Sequence, residues 1–177
     1  MKILGFDLGD GESAVTLLDE DSTVEPRVMP LCGKNSLISA VGVKDGRIVI
    51  GEAASVTDGA AEAKVRFKSR YLTDPAASAD VRAFAQGVMN ELVRTQPALM
   101  AEVSRTVVGC PAGWGDGRRE QYAALLESAG FPNVSVVPEP RAAFLYARHA
   151  RGLRVSPELM KKSGGHMTVL LATAVCC

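Results

Sequence analysis

Hydrophobic and polar positions change their period along this chain, and the changes divide it into a strand-rich first part and an alternating second part. Residues 3–8 and 14–18 are short apolar runs joined by Gly9, Asp10 and Gly11, the pattern of two strands and a tight hairpin. A third apolar run, residues 27–31, follows the acidic turn DEDSTVEP. Residues 37–43 (LISAVGV) and 47–51 (RIVIG) flank Lys44-Asp45-Gly46, and Asp-Gly between two β-rich runs marks another hairpin. The first 50 residues are therefore predicted to be mostly antiparallel sheet.

From residue 52 the chain is small, polar and basic, which predicts a short helix and an irregular loop. Val81, Phe84, Ala85, Val88, Met89 and Leu92 then recur at helical spacing. They predict an amphipathic helix over about 79–95, ended by Gln96-Pro97. Beyond it, residues 105–109 form a β-rich run, and Asp116 can cap a helix reaching Ala129 with Gly130 as its stop. Residues 134–137 form a strand, and Glu139-Pro140 opens a helix to about residue 150. Strand, helix, strand, helix implies parallel pairing with right-handed crossovers. Hairpins followed by such units predict one mixed sheet with helices packed on it. Residues 167–175 (MTVLLATAV) read as one more buried strand, after the linker-like SGGHM.

Composition narrows the classes. A content of 47% hydrophobic and 23% charged residues in 177 is that of a globular protein with a sizeable core. The 20 basic and 20 acidic side chains balance, leaving no electrostatic footprint for nucleic acid or an anionic membrane. The opening MKILGFDLG is too short an apolar run for a signal peptide and contains an acid, and no stretch approaches a membrane span. The four cysteines lack metal-site spacing and read as reduced thiols of a cytoplasmic protein, with Cys32 and Cys110 as small buried residues.

Three stretches carry candidate chemistry. In the first, GFDLGDGESAVTLL, a carboxylate at a strand end precedes glycine-rich backbone. That arrangement suits a hydrated divalent cation beside a polyphosphate, and it equally suits a plain hairpin turn. In the second, VVGCPAGWGDGRREQYAALLESAG, Arg118 and Arg119 lie in the first turn of a helix, where cations oppose the dipole. They serve either a partner such as Glu139 or a loop carbonyl, or simply solvent. In the third, VSVVPEPRAAFLYAR, Glu139 sits between two prolines at the end of a strand. That is where ligands bind in open α/β folds, and it is also where an acid stabilises a helix N-terminus.

In this order the stretches resemble the ATPase domain shared by actin, sugar kinases and the heat-shock protein 70 chaperones, and the chaperones most of all. Phe6-Asp7-Leu8-Gly9 is similar to their "(I/F)DLGTT" hairpin. Pro111-Ala112 with Asp116 and Arg119 is similar to "VPAxFxDxQR", and Pro138-Glu139-Pro140-Arg141-Ala142-Ala143 to "NEPTAAAL". The likeness runs from Met1 to about Arg148. It implies an α/β, ribonuclease-H-like (actin-like ATPase) fold: a mixed sheet of antiparallel hairpins and parallel strands flanked by helices. Residues 1–150 would form the first lobe, and 151–177 a linker and the opening strand of a truncated second lobe.

The resemblance also implies roles. Asp7 would hold the water shell of Mg²⁺, and Gly9, Asp10 and Gly11 would lie against the phosphates of ATP or ADP. Lys68 would be the catalytic lysine, with Lys64, Arg66 and Arg70 as neighbouring alternatives, and Glu139 would orient the attacking water. Pro111 and Arg119 would relay nucleotide state to a peptide-binding domain. Asp10 and Gly11 replace two hydroxyl residues of the family, which implies weak or altered ATP binding. The family's second phosphate hairpin, "DxGGGT", is not found in this chain. The expectation is thus the N-terminal half of a chaperone ATPase, inactive alone, whose exposed sheet edge pairs with a second copy. An actin-like filament-forming ATPase fragment and a non-catalytic interaction module are the alternatives.

Overall fold

The computed structural model describes residues 1–21, 25–55, 63–71, 74 and 76–143. The helix expected to reach residue 150 is described to residue 143, and the linker and strand expected over 151–177 lie outside the described residues.

The architecture is a mixed α/β one. β1 (Lys2–Leu8), β2 (Glu12–Asp19) and β3 (Arg27–Met29) form the antiparallel group, with β4 (Leu37–Ile38) also paired to β2. β8 (Val103–Cys110) and β9 (Val134–Pro138) run parallel to β1, giving the order β3-β2-β1-β8-β9. The antiparallel group thus continues into parallel strands through β1.

The single sheet expected from the sequence is divided in two. β5 (Ala40–Lys44) pairs with β6 (Arg47–Ile50) and β7 (Lys64–Val65) in a separate three-stranded sheet. The break falls at Ser39, in the middle of the apolar run LISAVGV. Buried Ser39 donates its N–H to the Gly11 carbonyl at 2.9 Å and shares a 2.7 Å hydrogen bond with the Ser13 hydroxyl. These polar contacts turn the chain from one sheet into the other, a change that apolar periodicity does not register.

The remaining elements are α1 (Glu52–Ser55), α2 (Phe67–Arg70), α3 (Ala76–Thr95), α4 (Pro97–Met100) and α5 (Asp116–Ser128). α3 buries Ala77, Val81, Phe84, Ala85, Val88, Met89 and Leu92, one continuous stripe at i, i+3, i+4 spacing. Gln96-Pro97 ends it as expected, with Pro97 opening α4. α5 starts after an extended Gly115 cap, so Asp116 lies inside the first turn and is not itself the cap. Its end is a Schellman motif: Gly130 at φ 103° donates to Glu127 and Phe131 donates to Leu126. Phe131 then stacks on Phe6 of β1, with centroids 4.9 Å apart, fixing α5 against the sheet.

The core lies on both faces of that sheet. Leu4, Phe6, Leu8 and Val108 meet α3 and α5 in the main cluster, and each such burial contributes roughly 1.5–3 kcal/mol. On the opposite face Ile3, Val107 and Ala142 pack with Leu18 and Val137, Ala142 coming from the helical residues 139–143. Cys110 is buried as expected. Cys32, expected inside, is exposed, because it occupies a left-handed turn residue (φ 50°) between Leu31 and Gly33. No helix among the described residues is long and apolar enough to cross a membrane.

Candidate functional site

Three parallel strands deliver their C-terminal ends to one edge of the sheet. Asp7 is the penultimate residue of β1, Pro111 follows β8 and Glu139 follows β9. Phe6, Val108 and Val136 share one row of the register and Cys110 pairs with Pro138, so the three ends lie side by side. Such an edge is where open α/β sheets bind ligands. Gly9 and Asp10 of the β1–β2 turn, with Lys68 and Ser69 of α2, complete a cleft of about 240 Å³ lined also by Asp7, Pro111 and Glu139.

The turn is built by hydrogen bonding. Gly9 donates its N–H to the Glu12 carbonyl at 3.1 Å, and a β-carbon on Gly9 would stand 2.3 Å from that oxygen, so this position requires glycine. Gly11 differs: it is not in the left-handed region, and no atom lies within 4 Å of where its β-carbon would be. Of these two hairpin turns it is Asp45-Gly46, with both φ values positive (51° and 73°), in which glycine serves the backbone angle. Gly11 leaves open space beside the hairpin tip.

Lys68 is carried in by its neighbour Phe67. Phe67 is fully buried, its ring tilted against Phe84 at 5.2 Å, and it draws α2 down onto α3. Lys68 is itself only 6% exposed, and its Nζ donates to Glu139 Oε1 at 2.5 Å. Glu139 reaches it by lying over β8, where Gly109 presents no side chain. At the next residue of α2, Asp10 Oδ1 accepts the Ser69 N–H at 2.9 Å. Of the basic residues in 64–70, Lys68 lines the cleft, whereas Arg70 pairs with Asp74.

Burial pushes the Asp7 carboxyl above the ordinary carboxylate range; the Lys68 ammonium opposes the rise and the Glu139 carboxylate adds to it. Burial likewise raises the Cys110 thiol, opposed by Arg119. Arg119 donates to Asp116 one turn back in α5 and does not line the cleft, so it pairs within its own helix and not with Glu139. Among the described residues no three His, Cys, Asp or Glu side chains stand close enough to cage a metal directly.

Behind the cleft Tyr71, Trp114 and Tyr122 form an aromatic trio, the Trp114–Tyr122 contact edge-on at 5.0 Å and Tyr71 within 5.7 Å of both. It ties the end of α2 to the loop after β8 and to α5. The Tyr122 hydroxyl is fully buried and has no hydrogen-bond partner among the described residues. Burial, with Glu139 next, holds its pKa well above the ordinary phenol value.

Asp7, Gly9, Asp10, Lys68, Pro111 and Glu139, chosen from the sequence, therefore lie around one cleft, with Gly11 at the hairpin tip and Arg119 apart. Three contributors were missed. Gly109 carried a usable signal, since a glycine inside a β-rich run marks close approach of another group. Ser69 carried none, because it acts through its backbone amide. Tyr122 reads as any buried helix residue.

No family model matches the chain. It is 27% identical over 154 residues to the chaperone protein DnaK of Thermosipho melanesiensis, an alignment covering 81% of this chain and 25% of that relative. The chain thus spans about a quarter of the length of the curated relative it matches, and in sequence it is similar to a chaperone protein.

Proposed function

We propose that this chain is the first lobe of a heat-shock-protein-70-like ATPase domain and that its cleft is one wall of a nucleotide-phosphate site. The supporting observation is convergence: Asp7, Lys68 and Glu139, far apart in sequence, meet at the carboxyl edge of the parallel strands.

The residues present fit a phosphate that arrives with a divalent cation. Asp7, Asp10 and Glu139 set three carboxylates against one ammonium, which repels a bare polyphosphate and favours one partly neutralised by Mg²⁺. The open space beside Gly11 admits phosphate oxygens close to backbone. When bound, Mg²⁺ supplies charge neutralisation of the phosphates. Asp7 would hold water of the cation's shell, Lys68 would attract the terminal phosphate, and Glu139 would accept a hydrogen bond from the attacking water and so orient it. Pro111, which lines the cleft, and Arg119, on α5 beyond it, would pass a nucleotide-dependent shift outward to a partner domain.

Hydrolysis belongs to a whole domain with two walls, so the 177-residue chain alone binds Mg²⁺–ATP weakly and releases little phosphate. Calorimetric titration and a phosphate-release assay test this together. We expect Mg²⁺-dependent binding that Lys68→Met abolishes. Binding that needs neither Mg²⁺ nor Lys68 counts against the reading, and no binding even beside an added second lobe assigns the chain to a non-catalytic interaction module.

A further inference from the structure

Asp10 is the residue that most sets this hairpin apart, and its contact gives it a role other than meeting phosphate. Its Oδ1 accepts the Ser69 N–H at 2.9 Å. Ser69 follows Lys68 in α2, a helix of four residues, and a single helical turn has little stability of its own. Its pose is imposed from outside. Phe67 is anchored against Phe84, the Ser69 hydroxyl donates to the Arg66 carbonyl at 3.3 Å, and Arg66 is held at φ 52°. A left-handed arginine persists only where surrounding contacts enforce it.

We propose that Asp10 is a positioning residue: by holding the Ser69 amide it locks the Lys68-bearing turn to the tip of the β1–β2 hairpin and aims Nζ at Glu139. An amide bonded to a carboxylate is a charge-assisted contact, stronger than a neutral one. Phe67 fixes the buried side of the turn and Asp10 the side facing the cleft, so the direction of the intervening Lys68 side chain is determined between them. The hairpin that faces the ligand and the lysine that meets it then move as one body. The inference deepens the nucleotide-site reading, yet its contacts exist without any ligand.

The test uses the whole ¹⁵N-labelled chain without nucleotide and reads two NMR signals: the Ser69 amide and the Lys68 ammonium, which exchanges slowly with water while buried and paired. Asp10→Asn keeps an acceptor and is expected to keep both signals. Asp10→Ala is expected to shift the Ser69 amide upfield and to lose the ammonium signal to exchange. Both signals unchanged in the alanine variant, or equally altered in both variants, would overturn the proposal. If the alanine variant does not fold, the unaltered chain decides: the Ser69 amide must exchange with solvent more slowly than an unbonded amide, and exchange at the unbonded rate overturns the proposal. With Mg²⁺–ATP, Asp10→Ala is expected to weaken binding about tenfold and Asp10→Asn by less than about threefold. If the unaltered chain binds no nucleotide, the functional reading fails while the two NMR signals still judge Asp10.

Discussion

Glu139 lies across Gly109 of the neighbouring strand: a β-carbon on Gly109 would stand 2.9 Å from Glu139 Cγ and 3.4 Å from its Oε1. One missing methyl group thus sets the height of the carboxylate that pairs with Lys68. Gly109→Ala is expected to lift Glu139 off the strand and separate it from Lys68, at a cost of about 1–3 kcal/mol. Thermal denaturation should show a lower midpoint and calorimetry a loss of Mg²⁺–ATP binding. A variant with both unchanged would show that the cleft tolerates the methyl.

The Lys68–Glu139 pair is asymmetric, and so are the effects of breaking it. Lys68 has a side chain 7% exposed, whereas that of Glu139 is 46% exposed. Glu139→Ala strands a buried ammonium and is expected to cost about 2–3 kcal/mol. Lys68→Met fills the same volume and leaves Glu139 with access to water, at under about 1 kcal/mol. Chemical denaturation of the two variants checks the order; a larger loss for Lys68→Met would mean that Glu139 depends on the lysine more than its exposure implies.

Asp7 should trade stability for binding. Burial raises its carboxyl pKa in the folded chain, so the folded state binds a proton more readily than the unfolded one. Stability therefore falls as pH rises from the ordinary aspartate range through the raised folded value, and is recovered on acidification across that window. Asp7→Asn removes the buried charge: it is expected to raise the melting midpoint at neutral pH, to narrow that gain at acid pH, and to abolish Mg²⁺-dependent nucleotide binding. Denaturation curves across pH check the sign. A melting midpoint lower than that of the unaltered chain at neutral pH contradicts it.

Tyr122→Phe should be neutral to stabilising. Its hydroxyl is buried without a partner among the described residues, so deleting it removes an unsatisfied polar group and keeps the ring contacts with Trp114 and Tyr71. A gain of up to about 1 kcal/mol is expected in urea unfolding. A loss of that size would instead mean that the hydroxyl holds a buried water.

The hairpins, the long helix and the parallel alternation were legible because each rests on local period. The apolar runs 3–8 and 14–18 around a glycine turn produced β1 and β2, and the stripe from Val81 to Leu92 produced α3. Less legible were the features that depend on one polar contact. Ser39 splits an apolar run between two sheets through hydrogen bonds to Gly11 and Ser13, and Cys32 is exposed because a turn falls there. Arg119 was placed correctly on α5, but its partner is Asp116, one turn back on its own helix.

The sequence by itself determined that a carboxylate lies near the end of β1, that Glu139 follows β9 and that a basic segment lies between them, because strand ends and charge are properties of short stretches. Tertiary structure alone decided that Lys68, of four nearby basic residues, reaches Glu139, since that choice depends on Phe67 burying beside Phe84 and on Gly109 leaving a path over the sheet. It also decided the role of Asp10. In sequence the residue is a charge in a glycine turn; in space its carboxylate is engaged by the Ser69 amide, a backbone group that no side-chain pattern marks.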